Sequence, residues 1–219
     1  MNTLEKEIKN LKSEVLNMFF QVEKQWLKCR IAIIDFDQDI AGEITANEKI
    51  INALELKIDN DCENILALLS PVAIDLRFIL SVYKINHELE RIADIAENIA
   101  NYVVNNNQAY PKEIIVELQL ENMMIQLDSM LKNIKNSFEY DDTKIARKIF
   151  TKDKIINQYN AQAYKIIENN LDKFDRNNLL YLLSTVHKIE RAGDSIKNIG
   201  EEIIFHLEAK VIKHKKPNS

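Results

Sequence analysis

Five polar residues recur, in the same order, in two segments of the chain. The first set is His87, Glu90, Arg91, Asp94 and Asn98. The second set lies 100 positions later (190 − 90) and comprises His187, Glu190, Arg191, Asp194 and Asn198. An α-helix turns about 100° per residue, so these spacings place each set on one stripe roughly 100° wide. A stripe of this kind is typical of a solvated helix surface or of a face that binds a cation.

A neighbouring helix brings a further acid to the same height. The second and third predicted helices form an antiparallel hairpin whose turn is centred near residue 71. In such a hairpin, two residues equally far from the turn lie at the same height. Glu48 is therefore expected to lie level with Asp94, because its reflection through residue 71 is position 94 (2 × 71 − 48). In the second half the turn is centred near residue 173 or 174, and the same reflection places Asp153 beside Asp194. The sequence therefore predicts that acids from adjacent helices converge twice.

Carboxylates at one height repel each other unless they are solvated, protonated or shared with a cation. Carboxylates on facing helices are a known way to bind divalent or iron-type ions, which makes a metal site the favoured interpretation. The candidate ligands are Glu48, Glu90, Asp94, Asp153, Glu190 and Asp194. The competing interpretation is a salt-bridge network in which Arg91 and Arg191 pair with these acids. His87 and His187 occur in His-x-x-Glu, the reverse of the Glu-x-x-His order of di-iron bundles, and are more typical of ordinary polar-face residues.

The composition indicates that helices position these residues. Only three Gly and three Pro occur among 219 residues, which favours long helices with few turns. Hydrophobic residues make up 46% and the net charge is −5, so we expect a folded core and no broad nucleic-acid surface. There is neither an apolar signal core nor a run of about 20 apolar residues. Cys29 and Cys62 lack CxxC spacing, and we therefore expect a cytoplasmic protein with reduced cysteines.

Apolar spacing and helix breakers predict six long helices. In the first half they run from Leu4 to Ile34, from the cap Asp37 to Ser70, and from Ile74 to Val104. In the second half they run from Lys112 to Phe138, from the cap Asp142 to Leu171, and from Arg176 to Val211. The polar segment 105–111 is the predicted linker, and the basic tail 213–219 is predicted to fray.

The two halves are predicted to be copies of one unit. Residues around Glu48 match those around Asp153 at an offset of 105 (153 − 48), in addition to the polar stripe described above. Any two amphipathic helices share apolar spacing, but shared His, Glu, Arg, Asp and Asn identities need a different explanation. We therefore predict an all-α fold of two tandem, pseudo-symmetric three-helix bundles, with domains at residues 1–106 and 107–219.

Three segments resemble the PhoU family: PVAIDLRFIL at 71–80, HELERIAD at 87–94 and IERAGD at 189–194. The resemblance covers nearly the whole chain. It implies two three-helix bundles side by side, usually in a homodimer. It also implies multinuclear iron or zinc clusters, with Glu90, Asp94, Glu190 and Asp194 as ligands and Glu48 and Asp153 as their partners. The sequence departs from the family at Asn52 and Asn157, where the family often has a second acid and where an amide is a weaker ligand for a hard cation.

The resemblance also implies a function. It points to a regulator rather than an enzyme, a cytoplasmic adaptor that restrains phosphate uptake and signalling when phosphate is plentiful. The implied partners are a phosphate ABC transporter, through its ATPase or permease, and a sensor histidine kinase, so the protein would be peripheral to the membrane. The absence of a P-loop, a nucleophile elbow and an HExxH motif agrees with this. The alternatives are a carboxylate-bundle metal-storage protein or oxidase, and a metal-free helical scaffold.

Overall fold

The computed structural model describes residues 3–106 and 108–209, and within these ranges it contains seven α-helices and no strand. The first three helices are α1 (Thr3–Asp35), α2 (Gln38–Leu69) and α3 (Ala73–Asn105). The others are α4 (Lys112–Glu117), α5 (Leu120–Tyr140), α6 (Thr143–Glu168) and α7 (Arg176–Glu208). The predicted all-α class is confirmed. None of the helices in these ranges combines the length and the apolar character that crossing a bilayer requires.

The helices form two three-helix bundles that share a long contact. Helices α1, α2 and α3 pack on one another, as do α5, α6 and α7. Helix α3 packs against α7 and helix α1 against α5, so the two bundles lie side by side. Trp26, Phe19 and Met18 of α1 are among the largest fully buried side chains. The exact domain boundary at 106/107 stays a prediction, because residue 107 lies outside the described ranges.

Side-chain caps begin three of the helices. The Asp37 carboxylate accepts a hydrogen bond from the Ile40 amide at 2.9 Å, and the Asp142 carboxylate accepts one from the Lys144 amide at 2.8 Å. Asp175 caps α7 in the same manner. Such caps satisfy N–H groups that have no partner within the helix. Both predicted caps are confirmed.

The predicted fourth helix, Lys112 to Phe138, is wrong as a single element. It is divided at Gln119, whose φ of 51° is left-handed, into α4 and α5. Leu118 and Leu120 are both buried, although two such positions point about 200° apart on a continuous helix. The break lets both leucines enter the core, which compensates for the backbone strain at Gln119.

Other differences are confined to helix ends and to the linker. Helix α6 ends at Glu168, three residues before the predicted Leu171, and a short turn follows it. The predicted end at Val211 and the tail 213–219 lie outside the described residues. In the predicted polar linker, Tyr110 is buried, and its ring stacks on that of Tyr102 at 4.3 Å between centroids. One residue of the connection therefore belongs to the core.

Candidate metal sites on the acidic helix faces

In the first half, Glu48 is held in a buried position on α2. It lies on the same inward face as Ile44 and Ile51, and 8% of its surface is exposed. The Gln25 amide of α1 donates to Glu48 Oε2 at 3.0 Å and to the Ala93 carbonyl of α3 at 3.1 Å. Helices α1 and α3 together therefore fix the position of this carboxylate.

Acids from α3 surround Glu48. Burial raises the pKa of Glu48, and the nearby Glu97, Asp94 and Glu55 raise it further, while the hydrogen bond from Gln25 opposes the shift. Burial, together with Glu55, Asp94 and Glu48, raises the pKa of Glu90 to about 7. These couplings arise only between neighbouring charges. The structure thus places the predicted Glu48, Glu90 and Asp94 within electrostatic reach of one another, with Glu55 and Glu97 nearby. Their oxygens do not form a group of three within 4.8 Å, which among the described residues is formed by Glu55, Asp59 and His87.

Closer to the α2–α3 turn, the same face carries a cluster of one histidine and two acids that the sequence analysis did not predict. His87 Nδ1 lies 3.1 Å from Glu55 Oε1, and His87 Nε2 lies 3.7 Å from Asp59 Oδ2. One ligand atom from each of the three residues lies within 4.8 Å of the others. A signal was present in the sequence, because reflecting residue 55 through residue 71 reaches 87 (2 × 71 − 55). Glu55 and Asp59 also lie one turn apart on α2.

In the second half the acids of α6 and α7 also meet, but with a lysine between them. Lys197 Nζ lies 2.5 Å from Asp194 Oδ1 and 3.5 Å from Asp153 Oδ2. Burial raises the pKa of Glu190, to which Asp194 and Asp153 add, while His187 and Lys197 lower it. Two of the three predicted acids, Asp194 and Asp153, therefore pair with Lys197, and Glu190 lies within electrostatic reach of them.

The predicted arginine salt bridges are absent from the described residues. Arg91 and Arg191 are both exposed, and neither forms an ion pair within 3–106 or 108–209. The competing interpretation thus named the wrong residue type and position, because Lys197 forms the network in the second half. No lysine or arginine of these ranges pairs with Glu48, Glu90 or Asp94.

The two faces differ in how well they suit a metal ion. The first-half face offers carboxylates from two helices, and carboxylate oxygens are donors that hard and borderline cations prefer. Among the described residues, no lysine or arginine pairs with Glu48, Glu90 or Asp94. In the second half, Asn157 and Lys197 both donate to Asp153 Oδ2, so this oxygen already has two partners. Asn52, the counterpart of Asn157, is exposed. The first face fits the implied metal, and the second does not fit it in this arrangement.

A PhoU-domain family model matches residues 15–103 and, a second time, residues 120–203, which together make up more than half of the chain. The chain belongs to the PhoU family. The two matched segments correspond to the two bundles, and each contains one acidic face. The PhoU assignment therefore agrees with the repeat and with the motifs at 71–80, 87–94 and 189–194.

PhoU relatives match along most of the chain. "Phosphate-specific transport system accessory protein PhoU" from Escherichia coli K12 is 27% identical over 210 residues, which are 95% of this chain and 86% of the relative. The PhoU homolog from Caulobacter vibrioides is 27% identical over 213 residues, which are 96% of this chain and 92% of the relative. The similarity thus includes both bundles.

Solved PhoU structures share the architecture. The crystal structure of PhoU from Pseudomonas aeruginosa superimposes with a TM-score of 0.85 at 26% identity, over 95% of this chain and all of the other. That of the phosphate transport system regulatory protein PhoU from Streptococcus pneumoniae gives 0.86 at 26% identity, over 97% of this chain and all of the other. The predicted pair of PhoU-type bundles is confirmed.

Proposed function

We propose that this PhoU-family chain is a cytoplasmic accessory protein of a phosphate-specific transport system, and that it restrains phosphate uptake and starvation signalling when phosphate is plentiful. The observation that carries the proposal is the similarity over 95% or more of the chain to proteins named as accessory to phosphate-specific transport. In this role the protein is an adaptor and not an enzyme. Its partners are a phosphate ABC transporter, through the ATPase or permease, and a sensor histidine kinase, and it acts as a homodimer.

An adaptor needs exposed surface that a partner can cover, and the α2–α3 turn supplies some. Leu68, Val72 and Ile74 are 76%, 72% and 63% exposed, respectively. Large apolar side chains grouped at one end of a bundle are typical of contact surfaces. Two of the three belong to the segment 71–80 that resembles the family motif. This arrangement supports a protein–protein role for that end of the first bundle.

Deletion of the gene tests the regulatory role. We expect phosphate-uptake genes to stay expressed in high phosphate after deletion, because the restraint on the transporter and kinase is lost. Transcript levels in high and low phosphate, with and without a plasmid copy of the gene, measure this. Normal repression in the deletion strain contradicts the proposal, whereas repression restored by the plasmid copy supports it.

The first-half acidic face is the metal site of this proposal. Glu48, Glu90 and Asp94 would hold a divalent or iron-type ion such as Zn²⁺ or Fe²⁺, with Glu97 beside them. The ion would supply positive charge that ties α2 to α3. Support comes from the raised pKa values of Glu48, Glu90 and Glu97, since carboxylates with no counter-ion favour either a proton or a cation. The second-half acids Asp153, Glu190 and Asp194 already have Lys197 among them.

The double variant Glu90→Ala, Asp94→Ala tests the metal site. We expect it to lose most of the Zn²⁺ that the wild-type protein retains after loading and desalting, because two of the carboxylates are removed. Elemental analysis measures the metal, and far-UV circular dichroism checks that the helices remain. The matched control is Glu63→Ala, Glu121→Ala, which removes two exposed acids elsewhere. A Glu90, Asp94 variant with full metal content contradicts the site.

A carboxylate-bundle oxidase or storage protein remains the second candidate, and one observation favours it. His87 lies beside Glu55 and Asp59, so the first-half face includes a nitrogen ligand as well as carboxylates. Dioxygen uptake by the Fe²⁺-loaded protein separates the two functions. Turnover above that of Fe²⁺ in buffer favours the oxidase, and its absence favours the regulator.

A further inference from the structure

At one pair of equivalent positions the two acidic faces carry opposite charges. Glu97 of α3 corresponds to Lys197 of α7 at the offset of 100 (197 − 97) that also relates Glu90 to Glu190. We propose that only the first-half face binds a metal ion, and that the Lys197 ammonium takes the place of the ion in the second half. This inference rests on the proposed metal site and assigns Lys197 as the residue that closes the second face.

The position of Lys197 is that of a bridging cation. Its Nζ contacts Asp194 of its own helix at 2.5 Å and Asp153 of α6 at 3.5 Å, and so connects the two helices that carry the acids. The lysine side chain is only 28% exposed. An incoming ion would have to displace the ammonium from both carboxylates and leave a lysine beside itself. Charge repulsion and the lost ion pairs both disfavour that exchange.

The charges of the two faces differ accordingly. Glu48, Glu90, Asp94 and Glu97 give the first face four formal negative charges. The second face has three acids and Lys197, so its formal charge is −2 (−3 + 1). Burial and the charge of Asp94 raise the pKa of Glu97, and the charge of Glu97 in turn adds to the burial that raises the pKa of Glu48. The first face therefore attracts a dication more strongly than the second does.

The surroundings of the deepest acid also differ. In the first half, Gln25 donates to Glu48, whereas the equivalent position in α5 (25 + 105) is Met130, whose side chain has no N–H group to donate. Asp153 Oδ1 is buried without a hydrogen-bond partner, and it lies near Gly193 of α7. Within the part of the chain that the structure describes, the hydrogen bonds to Asp153 come from the Lys197 and Asn157 side chains alone, and both reach Oδ2. Lys197 replaces the support that Gln25 provides in the first half.

Exchanging the two charges tests the inference. With Mn²⁺ as the probe, isothermal titration of the full chain should give one class of binding for the wild type. Lys197→Glu should add a binding event that the wild type lacks. Glu97→Lys should weaken the original event by about tenfold or more, since about 1.4 kcal/mol corresponds to a factor of ten. The variant carrying both changes should bind Mn²⁺ more tightly through the second face than through the first, so that a further Asp194→Ala change removes the added event and leaves only the weakened first-face event.

Charge-matched controls separate a site effect from a net-charge effect. Lys148→Glu and Glu63→Lys alter exposed residues away from both faces and should leave the titration unchanged. Lys197→Gln removes the ammonium without adding an acid, and far-UV circular dichroism checks that each variant is folded. If Asp194→Ala alone, in the otherwise wild-type chain, weakens Mn²⁺ binding, the inference is wrong but the metal proposal stands. If neither the wild type nor Lys197→Glu binds Mn²⁺, both the inference and the metal proposal fail.

Discussion

Replacing Trp26 by Ala should lower the free energy of unfolding by about 3–5 kcal/mol, as is typical when a large aromatic residue is removed from a core. Trp26 is fully buried in α1, and its Nε1 donates to the Ile92 carbonyl of α3 at 3.1 Å. The change removes this hydrogen bond and leaves a cavity between the two helices. Urea unfolding followed by far-UV circular dichroism measures the loss.

Two further variants show whether the effect belongs to the core. Phe20→Ala removes an aromatic ring from the same helix, but Phe20 is 55% exposed, so its cost should be much smaller. Trp26→Phe keeps an aromatic ring in the core and should fall between the two. If Trp26→Ala costs no more than Phe20→Ala, the packing of α1 against α3 is not as described.

The helices could be predicted because their apolar residues recur with a regular period and because their caps are local. The Asp37 cap and the extent of α1 follow from the sequence, the latter to within one residue at each end. The break at Gln119 could not be predicted, since no Gly or Pro marks it. It arises from burial of Leu118 and Leu120 together, which depends on tertiary packing rather than on local preference.

For the acidic faces, the position of each acid along its helix could be predicted, but the direction in which it points around the helix only partly. Reflection through the hairpin turn put Glu48 level with Asp94, and in the structure the charge of Asp94 is near enough to add to the burial that raises the pKa of Glu48. The partner cation was missed. Relative to Asp194, Glu190 lies about −40° and Lys197 about −60° around the helix, whereas Arg191 lies near +60°. Lys197 therefore shares the side of Glu190, and Arg191 turns towards solvent.

The repeat preserved the fold more closely than the chemistry. Glu55 and Asp59, which contact His87, correspond at the offset of 105 to Asn160 and Tyr164. The second half thus lacks the acids that surround the first histidine, and His187 has no such cluster among the described residues. These substitutions are all on the helix faces and leave the core pattern intact. Two bundles of the same shape consequently present different charges.

Leu131→Ala, in the second bundle, should destabilise the first bundle as well. Leu131 of α5 is fully buried, and its truncation should cost about 2–5 kcal/mol. Helix α5 packs against α1 and α7 packs against α3, so unfolding of the second bundle removes apolar cover from the first. Trp26 is the single tryptophan of the chain, and its fluorescence therefore reports on the first bundle. The fluorescence and circular dichroism midpoints in urea should fall together.

The neighbouring Lys132→Ala variant is the matched control for Leu131→Ala, because Lys132 is exposed and its loss should change the stability by about 0.5 kcal/mol or less. Coincident transitions from the two probes are the mark of two-state unfolding. If Leu131→Ala instead produces an early loss of helix while the Trp26 midpoint stays fixed, the bundles unfold independently. The contacts between α3 and α7 would then contribute little to the stability of either bundle, and an ion bound to the first acidic face would stabilise α2 and α3 without affecting α6 and α7.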